Sequence, residues 1–399
     1  MRKEYFDLLY LASCGVNRQK PSVSCVKYYK EDSEALASLY RFSKKHLLES
    51  LIGMTLQKSG LALPQNWQIN IANAIRKVLL FDAERSRILS FMEQNGIWYL
   101  TLKGIILKEY YPSVGMRQMC DNDILYDETQ SEKLQSYMVS LGYTSLYENY
   151  GNVEVYEKIP VYNFEMHRSL YGVSDKNTWE EYYRTVKERL ILNENSMFGY
   201  HMTDEDFYIY IMCHAYKHYI GGGTGIRSLL DFYVYLKVKE KTMNFDYIQR
   251  ECKKLGIADF EKCNRRLCMK VFASEKQYSA GQDSFEKQFS RDEMDMLLYY
   301  LTSGVYGTLE RRIQNNLNQY QNKDGRVSPM SKIRYMKDRI FPGLEVYGSY
   351  PFFNKHRWLA PVFWVRRIFV MIFSKERRAA IFKEIKKVWK NGTSGDIFR

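Results

Sequence analysis

The spacing of the apolar residues changes twice along the 399-residue chain, and these changes constrain the fold more than any other feature. Over Ser33–Ser59 and Asn70–Asn95 the apolar residues recur every three or four positions, which predicts amphipathic helices. Over Ile97–Leu170 short apolar and aromatic runs replace this pattern, and they predict strands over Ile97–Leu102, Asp121–Tyr126, Tyr143–Tyr147, Val153–Lys158 and Val161–His167. Beyond Thr178 the helical spacing returns, and one helix is predicted to begin after Thr203. The chain is therefore predicted to be an α+β protein, with a small mixed sheet flanked by helical N- and C-terminal regions.

These changes divide the chain into four predicted regions. Residues 1–95 are predicted to form a helical N-terminal region, and residues 96–175 to form the small core that contains the sheet. Residues 176–325 are predicted to form a helical domain that closes a cleft over the core. A polar stretch over Gln321–Pro329 predicts a linker, and residues 326–399 are predicted to form a basic helical tail.

A glycine turn follows the first predicted strand. The run Ile97–Leu102 leads into Gly104 and then into a short helix predicted over Ile105–Tyr111. Glycine at such a junction lets backbone N–H groups approach a phosphate, and a helix N-terminus favours negative charge. Lys103 and Arg117 can add positive charge. These residues are candidates for nucleotide binding, and an ordinary tight turn at Gly104 is the alternative.

Two aspartates, Asp121 and Asp123, lie in the next predicted strand and are separated by one residue. Because strand side chains alternate with period two, both carboxylates are expected on one face. Adjacent carboxylates repel each other unless a cation lies between them, and Mg²⁺ is the natural partner because it is usually shared with substrate phosphates. Glu165 lies in a later predicted strand, and His167 is expected on the same face. Three carboxylates on neighbouring strands suit a two-metal phosphoryl transfer; a surface turn and a strand-end salt bridge are the alternatives.

The order LKG, YP, R, DxD and ExH over Trp98–Leu170 resembles the uncharacterised nucleotidyltransferases of the polymerase-beta-like superfamily. The segments HAYKHYIGGGTGIRSLLDFY and YPFFNKHRWLAPVFWVRR are similar to helical segments of the same family. The resemblance implies that Gly104 lines the triphosphate and that Asp121 and Asp123 bind the metals. It also implies that Glu165 is the third metal ligand or the base for the acceptor.

The activity implied by this resemblance is transfer of a nucleoside monophosphate, with AMP from ATP as the expected case, to a hydroxyl acceptor with release of pyrophosphate. It implies two Mg²⁺ ions as cofactors and a nucleoside triphosphate as substrate. Two positions depart from the usual pattern: Ile105 follows the turn glycine in place of Gly or Ser, and Asn122 lies between the aspartates in place of an apolar residue. A catalytically inactive nucleotide-binding sensor or scaffold on the same core is therefore the alternative.

Further candidate residues lie in the helical region. His214 and His218 have a spacing that can bind zinc, but no Glu occupies the HExxH position, so core or nucleotide-contact histidines are expected. The run Gly221–Gly225 is not a P-loop, because no Lys-Ser/Thr pair follows it, and it predicts a turn between helices beside the cleft. Arg227 and Asp231 are predicted to form an i,i+4 pair.

Positive charge collects at the C-terminus. The formal net charge is +13, and residues 351–399 contain twelve Lys and Arg but three Asp and Glu. The body is therefore not broadly basic, which disfavours nucleic acid as a partner. In this tail five apolar residues fall on one predicted helical face: Ile381, Phe382, Ile385, Val388 and Trp389. Such a basic amphipathic helix can lie on anionic lipid, which leaves a membrane-surface adaptor in envelope polymer or peptide biosynthesis as a further alternative. A surface helix packed on the body with its lysines in water is the simpler interpretation.

The expected location is the cytoplasm, with peripheral contact at the inner membrane face if the tail binds lipid. The seven cysteines form no CxxC pair, which favours reduced thiols. The apolar N-terminal run is short and is interrupted by Asp7. No stretch approaches the roughly 20 apolar residues of a membrane span.

Overall fold

The computed structural model describes residues 1–146, 152–172, 177–273, 276–279, 281–318, 328–341 and 356–390. Within these residues a seven-stranded mixed sheet is covered by helices on both faces, which confirms the α+β class. Two predicted boundaries, 175/176 and 325/326, lie outside the described residues, as do residues 321–327 of the predicted linker. None of the described helices is long and apolar enough to cross a membrane.

The N-terminal helices are α1 (Lys3–Val16), α2 (Val23–Glu31), α3 (Ser33–Lys45), α4 (Glu49–Lys58) and α5 (Gln65–Gln94). The single helix predicted over Ser33–Ser59 is therefore wrong, because the chain breaks between α3 and α4 at Leu47, where φ is 51°. No glycine or proline signals this break in the sequence. A long-range contact accompanies it: the buried His46 accepts a hydrogen bond at Nδ1 from Ile226 N at 3.2 Å.

The long helix α5 ends where the sequence predicts, with Asn95 at its C-cap and Gly96 at φ 68°, a value that favours glycine. It begins at Gln65 rather than at the predicted Asn70. Pro64 precedes it with φ −56°, which is already suited to helix entry. The start of the helix is therefore set by the proline and not by the first apolar repeat.

The strands are β1 (Tyr99–Thr101), β2 (Asn122–Tyr126), β3 (Thr144–Ser145), β4 (Val153–Lys158), β5 (Tyr162–His167), β6 (Ile191–Leu192) and β7 (Gly199–His201). Helices α6 (Gly104–Leu107) and α7 (Ser131–Ser140) lie between them in the chain. The strand order is β3-β4-β5-β2-β1-β7-β6; β2 is parallel to β5 and β1 to β7, and the other neighbours are antiparallel.

The predicted strands are confirmed for β1, β2, β4 and β5 to within two residues. The run predicted over Tyr143–Tyr147 corresponds to β3, and Tyr147 itself lies outside the described residues. The sequence pattern does not predict β6 and β7, which lie where helices are expected. Strands of two or three residues are too short to show a period.

Side chains alternate between the two faces of the sheet at β2. Ile124 and Tyr126 pack in an apolar core with α5 and α7. Leu125, one residue between them, belongs to the larger core formed with the helices on the other face. Asp123 shares the face of Leu125, because residues two apart point the same way. The aspartate therefore faces the C-terminal helices, away from α5.

The C-terminal helices are α8 (Asn177–Arg184), α9 (Asp204–Ile220), α10 (Ile226–Lys239), α11 (Phe245–Lys254), α12 (Ala258–Phe272), α13 (Lys276–Ser279), α14 (Gln282–Glu286), α15 (Arg291–Ser303), α16 (Leu309–Asn318), α17 (Pro329–Ile340), α18 (Ala360–Phe373) and α19 (Lys375–Lys390). Helix α9 begins after Thr203 as predicted, and Thr203 Oγ1 accepts a hydrogen bond from Asp206 N at 3.1 Å. The run Gly221–Gly225 forms the predicted turn between α9 and α10. This turn brings α9 and α10 together over the face of the sheet that carries Asp123.

Candidate active site

A cavity of about 240 Å³ lies between the sheet and helices α9 and α10. Its sheet side includes all three predicted carboxylates, together with Lys103 and Gly104: Lys103, Gly104, Asp121, Asp123 and Glu165. Its helix side carries polar and basic side chains: His214, His218, Thr224, Arg227 and Ser228. Arg117 and Asp231 also line the cavity, as do Val305 and Tyr306, which follow α15. The three carboxylates selected from the sequence therefore line one cavity, and their role as a site stays a prediction.

The parallel pairing of β2 and β5 brings two of the carboxylates together. Asp123 and Glu165 are register partners in this pair, and period two sends both side chains to the cavity face. Asp121 lies one residue before β2, so its position depends on the segment that leads into the strand. Burial and the neighbouring Asp123 carboxylate raise the pKa of Asp121, and the same two causes raise the pKa of Glu165 to about 7. Burial first, and repulsion by Asp123 second, thus disfavour the ionised forms of Asp121 and Glu165.

Asp123 is the best compensated of the three. Lys103 Nζ donates to Asp123 Oδ1 at 2.7 Å, and His167 Nε2 lies 2.9 Å from the same oxygen. Burial acts to raise the pKa of Asp123, but the Lys103 ammonium and the His167 hydrogen bond outweigh it and hold this pKa well below its usual range. Burial lowers the pKa of His167, so the ring is neutral and carries its proton on Nε2, because an ionised carboxylate can only accept. His167 therefore orients the Asp123 carboxylate.

Lys103 reaches Asp123 through an unusual backbone conformation. Its φ of 42° and ψ of −110° lie in a sparsely populated region for a residue with a side chain. Such a conformation costs on the order of 1–3 kcal/mol and persists only where surrounding contacts hold it. Here the lysine lies at the junction between β1 and the single turn of α6, directly opposite β2. The strain is located at the point where the predicted phosphate-binding turn meets the predicted metal ligands.

The donor set fits a divalent cation. The ligand atoms of Asp123, Glu165 and His167 lie within 4.8 Å of one another, and Asp121 lies in the same cavity wall but outside this group. Mg²⁺ prefers carboxylate oxygens, whereas an imidazole suits zinc and other transition metals better. Because the His167 proton on Nε2 is engaged by Asp123, the carboxylates are the more suitable ligands. The repulsion that raises the pKa of Asp121 and Glu165 is the repulsion that a cation would relieve.

Arg117 and Gly104 are in contact, which the sequence does not reveal. A Cβ on Gly104 would lie 2.6 Å from Arg117 Nη1, so the glycine leaves room for the guanidinium. Arg117 donates from Nε and Nη2 to the two carboxylate oxygens of Asp231, at 2.9 Å each, and Tyr111 Oη donates to Asp231 Oδ1 at 2.8 Å. The i,i+4 pair predicted between Arg227 and Asp231 is wrong, because Asp231 pairs with Arg117 instead. A role of Arg117 in nucleotide binding stays a prediction; its observed role is to join the sheet core to α10.

The two departures from the usual pattern have structural explanations. Ile105 follows the turn glycine, and its side chain is buried in the core between the sheet and α5. Asn122 points into the same core, where its Oδ1 accepts a hydrogen bond from Arg85 Nη1 of α5 at 3.0 Å. Both side chains therefore point away from the cavity. Neither substitution places a side chain among the carboxylates.

The helix side of the cavity contains residues that sequence reasoning missed. Arg227 Nη1 donates to the carbonyl oxygen of Gln118 at 3.3 Å, and Thr224 Oγ1 lies 2.7 Å from Ser228 Oγ. The glycine run before α10 is the sequence signal that could have led to them, since it was expected to border the cleft. His214 and His218 lie with their Nε2 atoms 3.1 Å apart and both line the cavity. This position agrees with nucleotide-contact histidines.

The comparisons with known proteins bear on this geometry. No curated protein and no solved structure gives a significant match to the chain. The comparison with protein families matches residues 32–273 to the family described as uncharacterised nucleotidyltransferase. The match spans about three fifths of the chain and includes every described strand, α9 and α10, so it contains both sides of the cavity except Val305 and Tyr306. The chain therefore belongs to this family of uncharacterised nucleotidyltransferases, and it is an enzyme of the nucleotidyltransferase type.

Proposed function

We propose that the cavity transfers a nucleoside monophosphate from a nucleoside triphosphate to a hydroxyl acceptor and releases pyrophosphate, with AMP from ATP as the first case to test. The observation that carries this proposal is the convergence of Asp121, Asp123 and Glu165 with Lys103 in one cavity wall. Nucleotidyl transfer depends mainly on positioning and on compensation of phosphate charge, and this wall supplies groups for both. The family match supports the reaction class.

In this proposal Asp121, Asp123 and Glu165 hold Mg²⁺, with two ions as the expected number. When bound, Mg²⁺ neutralises charge on the triphosphate and activates the acceptor oxygen. Asp123 is held in place for this task by His167 at 2.9 Å and by its register partner strand β5. The pairing of two parallel strands gives the ligand set a rigid base.

The triphosphate is assigned to the polar and basic groups around the carboxylates. Lys103 and Gly104 contribute from the sheet side, and His218 and Arg227 contribute from the helix side. The Lys103 ammonium already compensates Asp123 and is placed to contact a phosphate oxygen next to that carboxylate. Arg227 keeps a planar guanidinium at the N-terminus of α10, where a bidentate contact to phosphate is available to it.

Glu165 has two candidate roles, third metal ligand or base for the acceptor hydroxyl. Its side chain is 30% exposed, against 3% for Asp123, so it is the carboxylate that an incoming acceptor reaches more easily. Glu165→Gln separates these roles. A base is needed for turnover alone, so its loss leaves Mg²⁺-dependent ATP binding intact, whereas loss of a ligand weakens that binding.

The central test is calorimetric titration of ATP with and without Mg²⁺. In Asp121→Ala/Asp123→Ala we expect the Mg²⁺-dependent component of binding to fall by at least about tenfold, because charge-paired groups of this kind contribute more than about 1.4 kcal/mol. Asp127→Asn is the matched control, since this aspartate follows β2 and caps the next turn outside the cavity. Equal, Mg²⁺-independent behaviour of both variants and of wild type would contradict the metal site.

Turnover requires a second measurement. Incubation with ATP, Mg²⁺ and fractionated pools of hydroxyl-bearing small molecules, followed by mass spectrometry, should show an acceptor that has gained AMP and release of pyrophosphate. ATP binding without pyrophosphate release from any pool would favour the nucleotide-binding sensor over the enzyme proposed here. A polynucleotide as the best acceptor would contradict the expectation drawn from the position of the basic charge.

A further inference from the structure

The C-terminal helices are attached to one another through a small core of their own. Ile313, Leu317, Tyr335 and Val388 pack together between α16, α17 and α19. Within this core Glu384 accepts hydrogen bonds from Tyr335 Oη at 2.5 Å and from Arg339 Nε at 3.0 Å. Val388 belongs to the apolar face that the sequence assigns to lipid, yet it is fully buried. This part of α19 therefore agrees with a surface helix packed on the body, and Val388 is not available to lipid.

Helix α18 is attached through one face. Phe363 is buried, the ring of Trp364 meets the ring of Phe341 edge-on at 5.7 Å, and Arg367 Nη2 donates to the carbonyl oxygen of Arg339 at 3.2 Å. These contacts fix the side of α18 that faces α17. The opposite side faces solvent.

The solvent side of α18 and the turn before it is apolar. Five large side chains there are more than half exposed and recur at intervals of three or four residues, which places them on one helical face: Trp358, Val362, Val365, Phe369 and Phe373. We name this set the α18 stripe. A helix on the surface of a soluble protein normally turns its apolar side inward and its polar side outward. A contiguous exposed patch of this kind marks an interaction surface.

The segment that contains the α18 stripe is basic. Residues 356–390 contain ten Lys and Arg but two Asp and Glu. One of the two acids, Glu384, already forms a salt bridge with Arg339 in the small core. Arg366 on α18 and Lys383 and Lys386 on α19 are exposed. An apolar stripe with Trp and Phe in a basic segment complements a surface that is apolar below and anionic above.

We propose that the α18 stripe binds the surface of an anionic phospholipid membrane, with α18 lying flat in the interface. The attachment of α18 through Phe363, Trp364 and Arg367 leaves one apolar side available, which suits insertion to the depth of one helix face. The family match ends at residue 273, so this membrane contact belongs to the part of the chain beyond it. The proposal is independent of the reaction assigned to the cavity.

The test is co-sedimentation of the full chain with vesicles of phosphatidylcholine alone and of phosphatidylcholine mixed with phosphatidylglycerol. We expect binding to the phosphatidylglycerol vesicles, weakened by salt. Val365→Glu/Phe369→Glu should lower the affinity at least about tenfold, because it puts two charges into the apolar boundary. Lys383→Glu/Lys386→Glu should lower both the affinity and its dependence on salt.

The matched control is Leu79→Glu/Val139→Glu, which charges two comparably exposed apolar positions on α5 and α7. Its vesicle binding should equal that of wild type, and circular dichroism should show that all variants keep their helix content. A further measurement does not depend on the folding of the charged variants. If Trp358 enters the lipid, brominated lipid should quench the tryptophan fluorescence of wild type more than that of Trp358→Phe.

Three outcomes would overturn the proposal. The first is equal binding of wild type and Val365→Glu/Phe369→Glu, or no binding by either. The second is equal binding to both kinds of vesicle, which would remove the anionic requirement. The third is self-association that Val365→Glu/Phe369→Glu abolishes in the absence of vesicle binding, which would assign the α18 stripe to a second copy of the chain. Unchanged Mg²⁺–ATP titrations in these variants would show that the result does not depend on the cavity.

Discussion

The two faces of strand β2 differ in the polar groups that they bury and in how those groups are paired. On the face packed against α5, Asn122 is fully buried and its Oδ1 is held by Arg85 at 3.0 Å. On the cavity face, Asp123 lies beside two further carboxylates, and burial and mutual repulsion raise the pKa of both neighbours, Asp121 and Glu165. On the packed face the amide oxygen of Asn122 is therefore paired, although its Nδ2 has no hydrogen-bond partner among the described residues, whereas on the cavity face burial and mutual repulsion disfavour the ionised forms of two carboxylates. The difference separates a face that stabilises the fold from a face suited to bind a cation and a polyphosphate.

The largest effect should come from the charge that joins the cavity to α10. In Asp231→Ala the buried guanidinium of Arg117 loses its bidentate partner, so the free energy of unfolding in urea should fall by about 3–5 kcal/mol. The control Glu34→Ala removes an exposed partner of Arg41 and should cost less than about 1 kcal/mol. A similarly small loss of stability in Asp231→Ala would mean that Arg117 becomes hydrated. The salt bridge would then not be what joins the sheet core to α10.

A buried histidine below the cavity should make stability depend on pH. Burial lowers the pKa of His46 to about 4 from 6.5, so between these values the unfolded chain binds a proton that the folded chain does not. The free energy of unfolding should therefore fall as the pH drops from about 6.5 to about 4, by about 3 kcal/mol from this group.

Urea unfolding at several pH values checks this prediction by comparing wild type with His46→Gln. The variant should show the shallower dependence, because its side chain does not titrate. His201→Gln is the matched control, since His201 is exposed at the end of β7. Parallel pH profiles for wild type and His46→Gln would contradict the assignment.

The hydrogen bond between Arg85 and Asn122 on the packed face can be removed from either side. Arg85→Met removes the donor to Asn122 Oδ1 and should cost about 1–3 kcal/mol, because the buried amide oxygen is then unsatisfied. Arg85→Met/Asn122→Leu removes both partners and should regain part of that loss, as judged by thermal or urea unfolding. No difference between the single and double variants would show that the Arg85–Asn122 contact has no net effect on stability.

The smallest effect should have the opposite sign. Glu165→Gln removes one charge from the crowded face and should raise the free energy of unfolding by about 1 kcal/mol in the absence of metal. Glu157→Gln on β4 is a matched control outside the cavity and should leave stability nearly unchanged. A destabilised Glu165→Gln would mean that the carboxylates are already balanced and that the two faces of β2 do not differ as described.

Local sequence patterns succeeded where one element is enough to decide the outcome. The strands β2, β4 and β5 and the end of α5 were predictable from period two, from glycine and from the apolar runs. The break at Leu47 was not predictable, because no glycine or proline lies there. It coincides with a contact between His46 and Ile226, which are far apart in sequence. The strands β6 and β7 were too short to show a period.

The same division holds in the candidate site. Strand periodicity predicts that Asp121 lies beside Asp123 and that Glu165 lies beside His167. The structure brings Asp121, Asp123 and Glu165 to one cavity wall, and His167 contacts Asp123 behind it. The pairing of Arg117 with Asp231 could not be predicted from the sequence, since both residues have equally good partners nearer in sequence. The i,i+4 spacing suggested Arg227 as the salt-bridge partner of Asp231. In the structure Arg117 forms a bidentate salt bridge with Asp231 instead. Proximity in sequence gives a choice of partners, and packing selects among them.

By itself the sequence determined the α+β class, the positions of the acidic strands and the glycine turn, because hydrophobic period and turn chemistry act within a few residues. Only the tertiary structure decided which residues face the carboxylates across the cavity, where Ile105 and Asn122 point, and which tail helix exposes its apolar side. These depend on how α9, α10 and α16 to α19 pack against partners far away in the chain. A helix face is apolar in the sequence, but whether it is buried or exposed depends on what lies against it, as Val388 and Phe369 show.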